Sequence, residues 1–182
     1  GIIGQQIHIK FAGSLRREII EMAGEPAPLG MRAHPTAARV AEMSAAALNK
    51  RRSSRSKADY LIGAAQAVVR GELDVEGLPS GSAVAAEKKL TAQRGIGTWT
   101  ARYVMLRGGF ADAAPVGDSA LATALQRLHK LPERPDQQAT ARLMEVFAPH
   151  RSLATMHLWT SLKEAAPLPP PRGRGTTPRP GA

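Results

Sequence analysis

The chain contains no cysteine. Disulfide staples, thiolate zinc sites, cysteine nucleophiles and cysteine-ligated iron–sulfur clusters are thereby excluded, and a reducing compartment is compatible with the composition. The 5 histidines are scattered singly, with no H-x-x-x-H pair, which argues against a zinc site. Acidic residues are few: 15 Asp+Glu stand against 25 Lys+Arg, a formal net charge of +10. A surplus of that size favours a polyanionic partner, either nucleic acid or an anionic membrane. No apolar run is long enough to span a bilayer, and no stretch reads as a secretory signal. Aromatics make up only 4% of the chain, so the position of each Trp is informative. Strand-like alternation of useful length and internal repeats of 20–50 residues are also missing.

What is present is helical. The 182 residues are 43% hydrophobic, enough to bury a core. Ile3, Ile7, Phe11, Leu15, Ile19 and Met22 recur every three or four residues, as on one amphipathic helix. That pattern begins almost at Gly1, so the chain is expected to be a fragment whose first helix is cut short. Three prolines and two glycines make residues 24–35 a loop. Pro35-Thr36 opens a short helix through about Val40, and Ser44 caps another over Ala45–Leu48. Further helices are expected at Lys57–Arg70, Ala83–Arg94, Thr98–Arg107, Ser119–Leu128, Gln137–Phe147 and Ser152–Glu164. The fold class is all-α.

Two basic segments lie outside these helices. Asn49–Ser56 reads either as a solvated loop or as a rim that touches phosphates. Residues 167–182 are rich in Pro, Gly and Arg and are expected to be disordered. That tail carries three Arg and no acid, so a charge of about +7 stays on the rest.

The chemically informative segment is Leu90–Ala101, with Gly95-Ile96-Gly97 as a tight turn between two helices. Glycines at 95 and 97 permit positive φ and close approach of another backbone. The N–H groups of Gly97, Thr98, Trp99 and Thr100 then become unpaired donors at a helix N-terminus, a phosphate site blind to base sequence.

The hairpin GIGTWTARYVMLR, followed by Pro115-Val-Gly-Asp118-Ser-Ala-Leu121, resembles the helix–hairpin–helix, Gly/Pro-rich, Asp (HhH-GPD) superfamily of DNA glycosylases. Within it the chain is most similar to the alkylation-repair branch typified by 3-methyladenine DNA glycosylase II. Ile2–Ile7, Lys57-Ala58 with Tyr60-Leu61, and Arg151-Ser152 with His157–Trp159 fit in the same order, so the resemblance covers about residues 1–165.

The resemblance implies two helical lobes, 1–109 with the hairpin and 110–166 with the catalytic Asp, and a cleft between them. It implies a bacterial, cytoplasmic, nucleoid-associated monomer that acts on double-stranded DNA with alkylated bases. Asp118 takes the place of the catalytic carboxylate. From the residues alone Asp118 is the N-cap of the helix after it, and the two roles are compatible because a helix N-terminus suits an anion. Trp99 stands where strand-cutting members carry a nucleophilic lysine, so no Schiff base can form there and the enzyme would be monofunctional. Trp99 and Trp159, with Tyr103, would line the pocket for the extruded base, whose positive charge suits electron-rich rings; packing in the core is the alternative for each. Gln6 would plug the gap left in the duplex, or else lie on a solvated helix face. Gly95, Gly97, Thr98 and Thr100 would clamp phosphate. Main-chain carbonyls of Thr91, Gln93 and Ile96 would hold a structural Na+ or K+, with no other cofactor. His8, His34 and the very basic loop depart from the family pattern. Two other functions fit the composition: a non-catalytic helix–hairpin–helix DNA-binding module, and a basic helical RNA-binding or scaffold protein. Neither needs Asp118 in a cleft with Trp99 and Trp159.

Overall fold

The computed structural model describes residues 1–49 and 55–164. Most of the basic stretch (residues 50–54) and the Pro/Gly/Arg-rich tail lie outside them. The described residues form α1 (Ile9–Ala23), α2 (Ala37–Ala41), α3 (Ala45–Asn49), α4 (Arg55–Val69), α5 (Ala83–Thr91), α6 (Thr98–Arg107), α7 (Ser119–Leu128), α8 (Gln137–Met144) and α9 (Arg151–Glu164). Among them no strand forms; one isolated bridge pairs Pro26 with Arg32. The all-α expectation holds.

Helix starts follow local chemistry. Thr36 Oγ1 accepts from Arg39 N at 3.3 Å and opens α2; Ser44 Oγ accepts from Ala47 N at 3.1 Å and opens α3. Asp118 and Asp136 do the same for α7 and α8. Each such cap satisfies an N–H that the helix itself cannot.

The first helix departs from expectation. Instead of running from Ile3, the chain makes a 3-10 turn over Ile2–Gly4, turns at Gln6 with φ 54°, and enters α1 only at Ile9. His8 caps α1, its Nδ1 accepting from Lys10 N at 3.2 Å. The cause of the break is long-range. The Lys57 ammonium donates to the carbonyls of Ile3 and Gln5, which a continuous helix would have used internally. Two other ends also differ. α5 stops at Thr91, because Gln93 N and Ile96 N turn back onto Leu90 O and Gln93 O at 3.1 and 3.0 Å. The helix expected over Gln137–Phe147 tightens to a 3-10 turn at Glu145–Phe147.

Three groups of buried side chains hold these elements together. Leu90, Ile96, Ala101 and Met105 join Ile2, Leu73 and Leu78 around the hairpin. Leu121, Leu125, Met144 and Leu158 form a second group between α7, α8 and α9. Ile19, Leu48 and Ala58 tie α1 and α3 to α4. Helix α9 serves two of these groups: Leu158 is buried in the second, while its neighbour Trp159 packs against the first. A helix apolar on two sides belongs between layers, not on a surface.

Candidate active site

The hairpin is built on one glycine, not two. Gly95 sits at φ 84°, and a Cβ there would lie 2.1 Å from Cγ of Tyr60. Gly97 has φ −84° and ψ 175°, an extended conformation open to any residue, and its Cβ position is empty. The expectation that both glycines serve the turn is therefore corrected to Gly95 alone. Arg94 lies over the Tyr60 ring at 5.8 Å from its centroid, so α4 braces the turn from behind.

Gly97 is the N-cap of α6 and offers no side chain to cap it. The first helical bond runs from Ala101 N to Gly97 O, so the preceding amides point out of the helix end. Gly97 and Thr98 are exposed. Thr100 is only 3% exposed, and its hydroxyl accepts from Gln5 Nε2 at 2.8 Å. Its side chain thus belongs to the internal framework, leaving only its N–H for a phosphate.

Asp118 begins α7 after a backbone reversal at Gly117, φ 94°. Its Oδ1 accepts from Leu121 N at 2.8 Å, the N-cap bond read from the sequence, and from Trp159 Nε1 at 3.0 Å. Its Oδ2 accepts a longer bond from Trp99 Nε1, at 3.3 Å. Two indoles from two different helices therefore hold one carboxylate. The Tyr103 ring lies between them, 5.6 Å from Trp99 and 6.0 Å from Trp159 by centroids. Tyr103 follows Trp99 by one helical turn, which places the two rings on the same stripe of α6.

An open cleft of about 1130 Å³ runs along this site. Its walls are the turn at Gly4–His8, the hairpin from Thr91 to Gly97 with Trp99 and Thr100, and Gly117–Ser119. Asp118, Trp99, Gln6 and the hairpin thus share one cavity. Trp159 and Tyr103, both partly buried, complete the aromatic group around Asp118, Trp159 through its bond to Oδ1 and Tyr103 through its contacts with both indole rings.

Several residues of this framework have no role assigned from the sequence, although Lys57, Arg151 and Ser152 lie in segments that carry the family resemblance. Gln5 Nε2 donates to Gly95 O at 2.7 Å as well as to Thr100 Oγ1, joining the Gln6 turn to the hairpin. Lys57 anchors the same turn from α4, and its partial burial lowers its pKa from the ordinary lysine value. Asp112 and Arg151 form a two-pronged ion pair, Arg151 Nε to Oδ1 at 2.6 Å and Nη2 to Oδ2 at 2.5 Å. The next residue, Ser152, accepts from Ala113 N at 2.9 Å. Together these fix the loop that leads to Asp118. Their partners lie tens of residues away, so no local pattern marks them.

The family model for the HhH-GPD superfamily of base excision DNA repair proteins matches residues 1–150. A DNA-3-methyladenine glycosylase of Bacillus subtilis is 31% identical over 166 residues, 89% of this chain and 55% of that protein. The solved 3-methyladenine DNA glycosylase of Archaeoglobus fulgidus superposes with a TM-score of 0.79 at 23% identity, over 89% of this chain and 55% of that one. That of Schizosaccharomyces pombe, solved with abasic DNA, gives 0.78 at 25% identity over 89% and 77%. The chain spans little more than half the length of the Bacillus relative. The match over residues 1–150, together with the hairpin and the Asp118 site it encloses, places the chain in the HhH-GPD superfamily of base excision DNA repair proteins.

Proposed function

We propose that this chain carries the catalytic part of a monofunctional DNA glycosylase that removes alkylated purines from double-stranded DNA. The observation that carries the reading is the Asp118 carboxylate. Its Oδ1 accepts from Leu121 N and Trp159 Nε1, its Oδ2 accepts a longer 3.3 Å bond from Trp99 Nε1, and the residue lines the cleft. A module that merely bound DNA would have no use for a carboxylate fixed in that way.

The chemistry follows from the charges. In an N-alkylated purine nucleotide the base is cationic and leaves with the electron pair of the C1′–N bond. Positive charge then grows on the deoxyribose, and a fixed anion beside it lowers the barrier. Asp118 is that anion. Water adds to C1′, and its proton passes to the carboxylate or to solvent. Trp99, on the cleft wall, offers its ring face to the cationic base. Trp159, bonded to the same carboxylate, and Tyr103, in ring contact with both indoles, line the base pocket with it.

Gln6, exposed at the tip of its turn, enters the duplex in place of the extruded base. The amides of Gly97, Thr98 and Thr100, with Gly95 shaping the turn, clamp a phosphate. The carbonyls of Thr91, Gln93 and Ile96 would hold a monovalent cation; neutral carbonyl oxygens grouped on one tight turn suit such an ion. Gln93 O would then be shared, since it also accepts from Ile96 N at 3.0 Å. The protein acts on duplex DNA as a monomer, in the compartment that holds the chromosome.

Position 99 is Trp, and no lysine lines the cleft among the described residues. The product is therefore an intact strand with an abasic site. Incubation of the chain with methylated duplex DNA should release free 3-methyladenine, and borohydride should trap no protein–DNA adduct. Absence of free base would refute the glycosylase reading; a stoichiometric adduct would refute the monofunctional one.

A further inference from the structure

Three elements meet at the rim of the cleft: the Gly4–His8 turn, the hairpin and α4. Gln6 stands at φ 54° in the turn, a conformation costly for a residue with a side chain. Such a conformation persists only where its surroundings hold it. The holding groups are visible on both sides. On one side the Lys57 ammonium takes the carbonyls of Ile3 and Gln5. On the other, the Gln5 amide spends both N–H groups on the hairpin, one on Gly95 O at 2.7 Å and one on Thr100 Oγ1 at 2.8 Å. Thr100 is buried, and Gly95 is fixed by Tyr60, so both acceptors belong to rigid parts of the fold.

We infer that Gln5 is a positioning residue which locks the turn carrying Gln6 to the phosphate-binding hairpin, so that seating a phosphate on the hairpin aims Gln6 into the duplex. Gln5 itself touches no DNA. It acts through Gln6, and the inference rests on the base-extrusion reading above. Aiming a side chain that fills a gap left by an extruded base needs its backbone fixed beforehand; otherwise binding must supply the ordering.

The test separates extrusion from bond cleavage. A duplex carries 2-aminopurine beside 3-deaza-3-methyladenine, a neutral analogue whose glycosidic bond survives. Fluorescence at saturating protein then reports the extrusion equilibrium. Wild-type protein should raise it. Gln5→Leu should lower the extrusion constant on the order of tenfold, the worth of two ordinary hydrogen bonds. Gln6→Ala should lower it by a comparable factor. The double variant should lose no more than the larger single loss, because Gln5 works only through Gln6. Thr100→Val removes one acceptor at nearly the same shape and should reproduce part of the Gln5 effect, with nothing added in combination with Gln5→Leu. A double-variant loss near the product of the single losses, on the order of a hundredfold, would overturn the coupling. If Gln5→Leu does not fold, Thr100→Val paired with Gln6→Ala decides in the same way. A wild type that gives no rise would instead refute base extrusion itself.

Discussion

Trp159 and Asp118 are joined by an indole N–H bond of 3.0 Å to the same oxygen, Oδ1, that caps α7. One oxygen of the carboxylate thereby carries both the helix cap and the indole bond, while the other accepts a longer bond from Trp99 Nε1 at 3.3 Å. The arrangement lets a single aspartate begin a helix and still line the cleft. It also ties α9 to the carboxylate proposed as catalytic.

Trp159→Phe keeps a large ring against Tyr103 but removes the N–H donor. Hydrogen bonds to charged groups contribute about 1.5–3 kcal/mol. The single-turnover rate of base release should therefore fall by between about 10- and 100-fold, with the far-UV circular dichroism unchanged. A rate within twofold of wild type would show that Trp159 does not orient Asp118.

The two hairpin glycines should behave differently. Gly95→Ala places a Cβ 2.1 Å from Cγ of Tyr60 at φ 84° and should destabilise the protein by about 2 kcal/mol or more. Gly97→Ala meets open space at φ −84° and should cost about 1 kcal/mol or less, the difference between Gly and Ala at an N-cap. Urea unfolding of the two variants would distinguish them, and equal losses would contradict the geometry.

Thr98 is the first residue of α6, and Gly97 before it is already extended at ψ 175°. Proline is tolerated at a first helical position after an extended residue. Thr98→Pro should therefore fold, lose one phosphate-facing N–H, and bind duplex DNA several-fold more weakly. The slope of log K against log salt should not change, since no cation has been removed. Affinity equal to wild type would take the α6 terminus out of the DNA contact.

Asp112 gives a pH dependence of known sign. Its hydrogen bonds to Arg151 hold the carboxyl below the ordinary aspartate value, against a smaller opposing effect of burial. A group with a lowered folded pKa stabilises the fold above the unfolded-state value of about 3.9 and loses that contribution as the pH falls below it. Stability measured by urea titration should therefore drop between pH 5 and pH 2 more steeply in wild type than in Asp112→Asn. Parallel curves would show that the pair does not contribute.

What could be read from the sequence was what local chemistry decides. Ser44 and Asp118 mark their helices because each bonds an amide three residues on. The motif around Gly95 and the aspartate after Pro115 located the cleft. The break before α1 was not legible, because the apolar spacing continues through it while the bonds that cause it come from Lys57 and the hairpin. For the same reason nothing local marks Gln5, whose partners lie 90 and 95 residues away. Gly95 and Gly97 look alike in sequence; only the Tyr60 ring behind the first tells them apart. Trp159 could be assigned to the base pocket by resemblance, but its bond to Asp118 required the packing of α9 between two cores.

The central claim is that the Asp118 charge, not its shape, drives base release. Asp118→Asn keeps the side-chain volume, and its carbonyl oxygen can still accept from Leu121 N to cap α7. Single-turnover release of 3-methyladenine from methylated duplex is the measurement, with duplex affinity taken alongside. The Asn variant should bind within a few-fold of wild type and release base at least about 100-fold more slowly, a loss of roughly 3 kcal/mol in transition-state stabilisation. Release at the wild-type rate would mean that Asp118 is a helix cap and nothing more.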